Sequence, residues 1–200
     1  MQELALPQRT LVEHIRKTSI LTNEPDAYSR IFAKEGYRVA LVARNAEHLQ
    51  TLAADINSSG GEAAPFPVKN YDYSTVLGVF DAVNAHKWST PESSEIRVAV
   101  WNAGSAPFKT FLDVTEEDLK LSLDTSVTAA FAFSRGAILN FQKNEINKAG
   151  KRGTLVFTGA TASVRGNVYT SAFAAGKFGL RALSQSLAKE FGKQNIHVSP

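Results

Sequence analysis

The sequence predicts a three-layer α/β/α sandwich built on a parallel sheet. Three observations predict it. Apolar, β-branched runs at residues 37–43, 97–101 and 154–158 read as buried strands. Helical patterns separate these runs, so successive strands point the same way and the sheet is covered on both faces. The chain has 200 residues, 44% of them hydrophobic and 20% charged, enough to bury one ordinary core.

Residues 8–19 suit a short amphipathic helix, with Leu11 and Ile15 on one side. Thr22-Asn23-Glu24-Pro25 opens the next helix with a polar cap and a proline in the first turn, where its missing N–H costs nothing. That helix runs to about residue 35 and Gly36 ends it. Residues 37–43 are the first buried strand. Asn45 caps the following helix, which turns Leu49, Leu52, Ala53 and Ile56 inward and closes at Ser58-Ser59-Gly60-Gly61. A short strand follows at residues 63–68, weakened by Pro65 and Pro67, and residues 74–87 are helical. After a surface loop at residues 90–94 comes the strand at 97–101, closed by Asn102-Ala103-Gly104. A long helical region covers residues 115–147, with a break near Asp124. Then come the strand at 154–158, a helix from about Val168, and a last strand at residues 195–199. Right-handed crossovers make this a doubly wound, Rossmann-like sandwich, expected as a single domain over residues 1–200.

Composition excludes several functions. There is no cysteine, so disulfides, thiolate chemistry and cysteine-bound metal are ruled out. His14, His48, His86 and His197 are far apart with no ligand spacing, so no metal site is expected. No apolar run is long enough to span a membrane. A secretory core is broken by Glu3, Gln8, Arg9, Glu13 and His14. The faintly basic, amphipathic start leaves a mitochondrial signal as the minor reading beside a cytoplasmic one. The net charge is +3, and a pI of 9.1 hints at a phosphate-bearing partner. No basic cluster with interleaved aromatics appears, so nucleic acid is not an expected partner. Asp113, Glu116, Glu117 and Asp118 surround a helix start, where they complement its dipole.

Residues 153–189 carry the candidate chemistry. A strand ends in a turn of small residues, and a helix follows with Phe173, Lys177, Leu180 and Leu187 at steps of four, three and seven. Phe173 and Lys177 therefore share one face, one turn apart. Asn102 can bond the backbones of neighbouring strands, and Gly104 permits a close backbone approach. Arg44 directly follows a buried strand, with no acidic residue beside it. Taken singly, each has a plain structural explanation: a strand-end turn, a solvated arginine, a lysine snorkelling from a helix.

Together these residues resemble the short-chain dehydrogenase/reductase family over about residues 26–200. In that family a catalytic serine ends a strand, and a Tyr-x-x-x-Lys pair follows on the next helix. The resemblance puts Lys177 at the lysine, Phe173 at the tyrosine, Ala160 at the serine and Ser126 at the active-site asparagine. Phe173 cannot donate a proton and Ala160 cannot polarise a carbonyl. Thr158, Thr161, Ser163, Ser126 and Tyr169 are the nearby hydroxyls, and Tyr169 stands one turn before Phe173 if the helix covers both. Lysine kept with phenylalanine for tyrosine, within Phe-Thr-Gly-Ala-Thr-Ala-Ser and Lys-Phe-Gly-Leu-Arg-Ala-Leu, is similar to an atypical subgroup of the family. Asn102, Ala103 and Gly104 match the family's Asn-Asn-Ala-Gly, with Trp101 in first place. The resemblance implies that these three border the cofactor and that Lys177 keeps only its bond to the nicotinamide ribose. Arg44 implies NADP(H) over NAD(H), because arginine suits a 2′-phosphate.

Both ends depart from the family pattern. The glycine-rich Thr-Gly-x-x-x-Gly-x-Gly loop, counted back without a gap, falls with its threonine on Thr18 and its glycines on Ser19, Asn23 and Pro25. Residues 12–17 make a poor central strand, so residues 1–25 read as an atypical segment and the first thirty or so as a stretch outside the ancestral fold. The family continues past the last strand with lid helices and one more strand, so the sheet is expected incomplete at both ends. The implied function is an NADP(H)-dependent oxidoreductase of a small alcohol, ketone or aldehyde. It would pair as a homodimer or homotetramer through residues 115–147 and 168–191, with Ala172, Ala174, Ala175 and Gly176 allowing close helix approach. Two rivals stand beside it: a non-catalytic relative kept for association, and a truncated fragment with an exposed sheet edge.

Overall fold

The computed structural model describes residues 16–22, 26–89 and 94–200. Strands β1 (Arg16–Thr22), β2 (Arg38–Ala43), β3 (Glu62–Pro67), β4 (Ser94–Trp101), β5 (Gly153–Phe157) and β6 (Ile196–Ser199) form one sheet in the order β3-β2-β1-β4-β5-β6. Every pairing is parallel. The helices are α1 (Asp26–Lys34), α2 (Ala46–Ser58), α3 (Tyr73–Ala85), α4 (Glu116–Leu123), α5 (Ala129–Phe141) and α6 (Ser171–Phe191).

Alternate strand residues feed two cores, as the pleat requires. Leu21, Val39, Leu41 and Val100 pack with Leu49, Leu52 and Ile56 of α2. Ile20, Val42, Trp101, Leu155 and Phe157 pack with Val76 and Phe80 of α3, Phe133 and Phe141 of α5, and Leu180 of α6. The second core is packed to contact at its glycines: a Cβ on Gly153 would lie 2.2 Å from the Phe141 ring.

Local chemistry sets the boundaries. Gly36 follows α1 at φ 81°, a left-handed position that suits glycine. The Asn45 side chain accepts from the His48 N–H at 3.0 Å and starts α2. Thr115 and Asp118 form a capping box at α4. Pro65 and Pro67 are tolerated because β3 is an edge strand: Val68 N–H bonds back to Ala43, so the two prolines, of opposite parity, turn their missing donors to the open side.

Three expectations change. Residues 16–19 are not helical; they belong to β1, which lies between β2 and β4. Residues 16–22 are thus part of the fold, and the expected helix at residues 8–15 lies outside the described residues. The pattern misleads because β1 buries polar groups: Ser19 Oγ donates to the Arg38 carbonyl (3.3 Å), and Thr22 Oγ1 to that of Val100 (3.2 Å). Second, the region at 115–147 is two helices joined through a π-helical turn at Asp124–Thr128, and α5 ends at Phe141. Third, α6 begins at Ser171, three residues later than its pattern suggests.

Candidate active site

The C-terminal ends of β1, β4 and β5 meet at one point. Thr22 Oγ1 accepts from the Asn102 N–H at 2.8 Å, and the Thr158 N–H donates to the Trp101 carbonyl at 2.9 Å. Lys177 reaches this point from α6. Its Nζ donates to the Thr158 carbonyl at 2.8 Å, and the residue is 5% exposed. Gly104 makes room for it: a Cβ there would sit 3.2 Å from Nζ. Among the described residues no carboxylate forms an ion pair with this amine. Burial pushes its pKa below the usual lysine value.

Phe173 stands where the helical period places it, one turn before Lys177, with Nζ 5.8 Å from its ring centroid. Phe108, in the loop after β4, packs on Phe173 at 5.6 Å between ring centroids. Periodicity offered no way to find Phe108, which meets Phe173 only in the folded chain. The Tyr169 carbonyl accepts from the Lys109 N–H at 3.1 Å, tying that loop to the segment before α6.

Not every candidate joins the cluster. Ala160 is exposed just past β5, and its N–H donates to Ser163 Oγ at 3.0 Å. Ser126 lies in the π-helical turn, fully buried, with no partner for its hydroxyl among the described residues. A Cβ on Gly176 would lie 2.9 Å from that oxygen, so Ser126 packs against α6. Tyr169 is left-handed at φ 63° and precedes α6, so it does not stand one helical turn before Phe173. Arg44 is separate from Lys177. It is exposed at the end of β2, with its guanidinium 5.5 Å from the ring centroid of Tyr71. Burial raises the Tyr71 pKa, and the Arg44 charge opposes that rise.

A nicotinamide dinucleotide fits this arrangement at two of three places. The amine of Lys177 beside Gly104 and Asn102 suits ribose hydroxyls, and the Arg44 guanidinium suits a phosphate monoester. The pyrophosphate place differs. The ungapped count put Thr18 at the motif's threonine and Ser19 at its first glycine, but both are inside β1, which runs to Thr22. Only Asn23-Glu24-Pro25, without a glycine and outside the described residues, connects β1 to the start of α1. A groove of about 430 Å³ opens beside it, lined by Tyr28 and Phe32 of α1 and by Val100, Val156, Thr158 and Gly159. Among the described residues no cluster could hold a metal, and no helix is long and apolar enough to cross a membrane.

Known proteins share the fold and sequence of this chain. The family model for short chain dehydrogenases matches residues 26–200. The chain is 27% identical over 173 residues to 3-oxoacyl-[acyl-carrier-protein] reductase of Bos taurus, covering 86% of this chain and 67% of that one. It is 27% identical over 168 residues to 3-dehydrosphinganine reductase TSC10A of Arabidopsis thaliana, covering 84% and 48%. This chain thus spans about two thirds of the first relative and about half of the second. A short-chain dehydrogenase from Rhodopseudomonas palustris superposes with a TM-score of 0.79 at 29% identity, covering 92% of this chain and 82% of that one. A metagenomic short-chain oxidoreductase, solved in complex with NADP, has the same fold at TM-score 0.79 and 22% identity, covering 92% and 81%. With the family model matching most of its length, the chain belongs to the short-chain dehydrogenase family.

Proposed function

We propose that this chain is an NADP(H)-dependent oxidoreductase of a small alcohol or carbonyl compound, working without the family's tyrosine. One observation carries this reading. Lys177 is buried at the junction of β4, β5 and α6, although among the described residues it has neither a phenol to tune nor a carboxylate to neutralise it. Burying an amine costs free energy, and a ligand's hydroxyls would repay it. Lys177 would bond the nicotinamide ribose, with Asn102, Ala103 and Gly104 beside it, and Arg44 would take the 2′-phosphate. The dinucleotide, when bound, supplies the hydride. Phe173 and Phe108 would exclude water from one side of the reacting carbonyl. The proton then comes from water or from a nearby hydroxyl, Thr158, Thr161 or Ser163.

Titration of the purified chain with NADPH and NADH, followed by fluorescence and melting temperature, tests this. NADPH should raise the melting point by mass action. Arg44→Ala should weaken NADPH by about tenfold or more, the worth of one charged hydrogen bond, and leave NADH unchanged. Lys177→Ala should weaken both. A folded chain that binds neither dinucleotide up to about 1 mM overturns the proposal.

A second reading, a non-catalytic relative kept for association, is favoured by the sequence of the β1–α1 connection, Asn23-Glu24-Pro25, which has an acidic residue and no glycine. Either reading accommodates a homodimer or homotetramer, but the contact surface differs from the one first expected. Ala172, Ala174 and Gly176 are buried inside the chain, where Ser122 donates to the Ala172 carbonyl at 2.7 Å. The outward stripe of α6 is Ala175, Phe178 and Ala182, and α5 exposes Phe131 and Leu139. Phe178→Glu should convert a dimer to a monomer in sedimentation velocity. A wild-type chain that is already monomeric removes this surface from consideration.

A further inference from the structure

Trp101 stands where the family's motif has asparagine, and its place in the core gives it a task. We propose that a column of aromatic rings, ending in Tyr71, positions Arg44 for a phosphate monoester and makes Tyr71 a specificity-determining residue for NADPH over NADH, a role that rests on the NADP(H) reading of the site. The column starts in the core. The Phe80 and Phe133 rings pack at 5.3 Å between centroids, Phe133 and Trp101 at 5.1 Å, and Trp101 and Tyr71 at 5.7 Å. Phe80, Phe133 and Trp101 are buried, so they do not shift without disturbing the packing around them. The guanidinium carbon of Arg44 lies 5.5 Å from the Tyr71 centroid, within cation–π range. The Tyr71 hydroxyl is buried without a partner among the described residues, so the ring and not the oxygen makes this contact.

Hydrogen bonds fix the two segments. The Val68 N–H donates to the Ala43 carbonyl at 3.0 Å, which ties the chain after β3 to the end of β2. Asn70 Nδ2 donates to Asp72 Oδ2 at 2.6 Å, and the Asp72 N–H to Asn70 Oδ1 at 3.3 Å, so the turn that carries Tyr71 is pinned on both sides of it. The consequence falls on Arg44. Ordering a long, flexible side chain when a ligand binds costs free energy, and a ring already against it removes part of that cost. A ring also holds the charge without neutralising it, whereas a carboxylate would compete with a phosphate. Among the described residues no carboxylate forms an ion pair with Arg44. The residue is exposed, so its N–H donors stay open to a phosphate. NADH has no phosphate on that ribose hydroxyl and gains nothing from the arrangement.

Dissociation constants of NADPH, NADH and 2′,5′-ADP, measured by calorimetry on the intact chain and its variants, test this. Tyr71→Leu should weaken NADPH and 2′,5′-ADP by about threefold to tenfold, the cost of ordering one long side chain, and leave NADH unchanged. Tyr71→Phe keeps the ring and should change none of the three. In an Arg44→Ala background, Tyr71→Leu should have no further effect, because the two residues act as one unit. Tyr71→Met, whose flexible side chain fills irregular gaps, gives the same comparison if the leucine variant does not fold. A loss of NADH affinity equal to that of NADPH means that the ring only supports the fold of this corner, and overturns the proposal. NADPH affinity that is the same with and without the ring also overturns it, and leaves the NADP(H) reading intact. A folded parent chain that binds none of the three ligands overturns both.

Discussion

Phe173→Tyr, combined with Ala160→Ser, should raise NADPH-linked reduction of a small ketone or aldehyde by ~10²–10⁴-fold, the usual contribution of a positioned general acid. The substitution adds one hydroxyl to a ring that already has its place. Phe173 sits one turn before Lys177, and Phe108 packs against it. The amine lies 5.8 Å from the centre of this ring, close enough for its charge to act on a phenol there. When that amine is protonated, its charge lowers the phenol's pKa and makes proton transfer easier. The double variant should therefore show a pH dependence of kcat that the parent lacks. Ala160 is exposed immediately after β5, so serine there adds a donor without disturbing the core. The single variant Phe173→Tyr should recover most of the effect. A double variant that binds NADPH as well as the parent and turns over no faster would falsify the assignment of this ring to the reacting position.

The sequence disclosed the half of the site that is local. Phe173 and Lys177 share a helical period, and Asn102-Ala103-Gly104 ends a run of buried apolar residues. Each can be read within a few residues of itself. What escaped depends on how distant segments meet. Tyr71 lies against Arg44 because β2 and β3 are neighbours in the sheet, and Phe108 reaches Phe173 across 65 residues of chain. β1 was missed for a different reason. Thr18, Ser19 and Thr22 are buried yet polar, and strand recognition from apolar runs discounts such residues even when their hydroxyls are bonded to neighbouring strands. Ser126 shows a third kind of limit. Counting finds its place in the chain, but the π-helical turn and the packing of Gly176 decide that it meets α6. The same holds for α6 itself. Its small residues were visible, but which of them face inward was fixed by Ser122 and Ser126 on the neighbouring helical segment.

Glu62→Gln should cost the fold about 2–4 kcal/mol near neutral pH, because it removes the carboxylate from a fully buried guanidinium. Arg38 opens β2 and Glu62 opens β3, directly opposite in register. Arg38 Nε donates to Glu62 Oε2 at 3.0 Å, and the arginine is 0% exposed. Ser89 N–H and Oγ donate to the other carboxylate oxygen at 2.8 and 2.7 Å, and the Trp88 ring lies 5.7 Å from the guanidinium carbon. Burial works against ionising Glu62, but the hydrogen bonds from Ser89 and Arg38 outweigh it and lower its pKa to about 2. A carboxylate whose folded pKa is depressed stabilises the fold above its unfolded value, about 4.5. That stabilisation fades as pH falls from there through about 2. Near pH 7 the variant should melt roughly 5–15 °C below the parent, at the usual few degrees per kcal/mol for a chain of this size. Between pH 4.5 and 2 the two melting curves should converge, since the parent loses there what the variant never had. If the gap between them stays constant across that range, the pH-dependent stability comes from other carboxylates and the Arg38–Glu62 pair contributes only its packing.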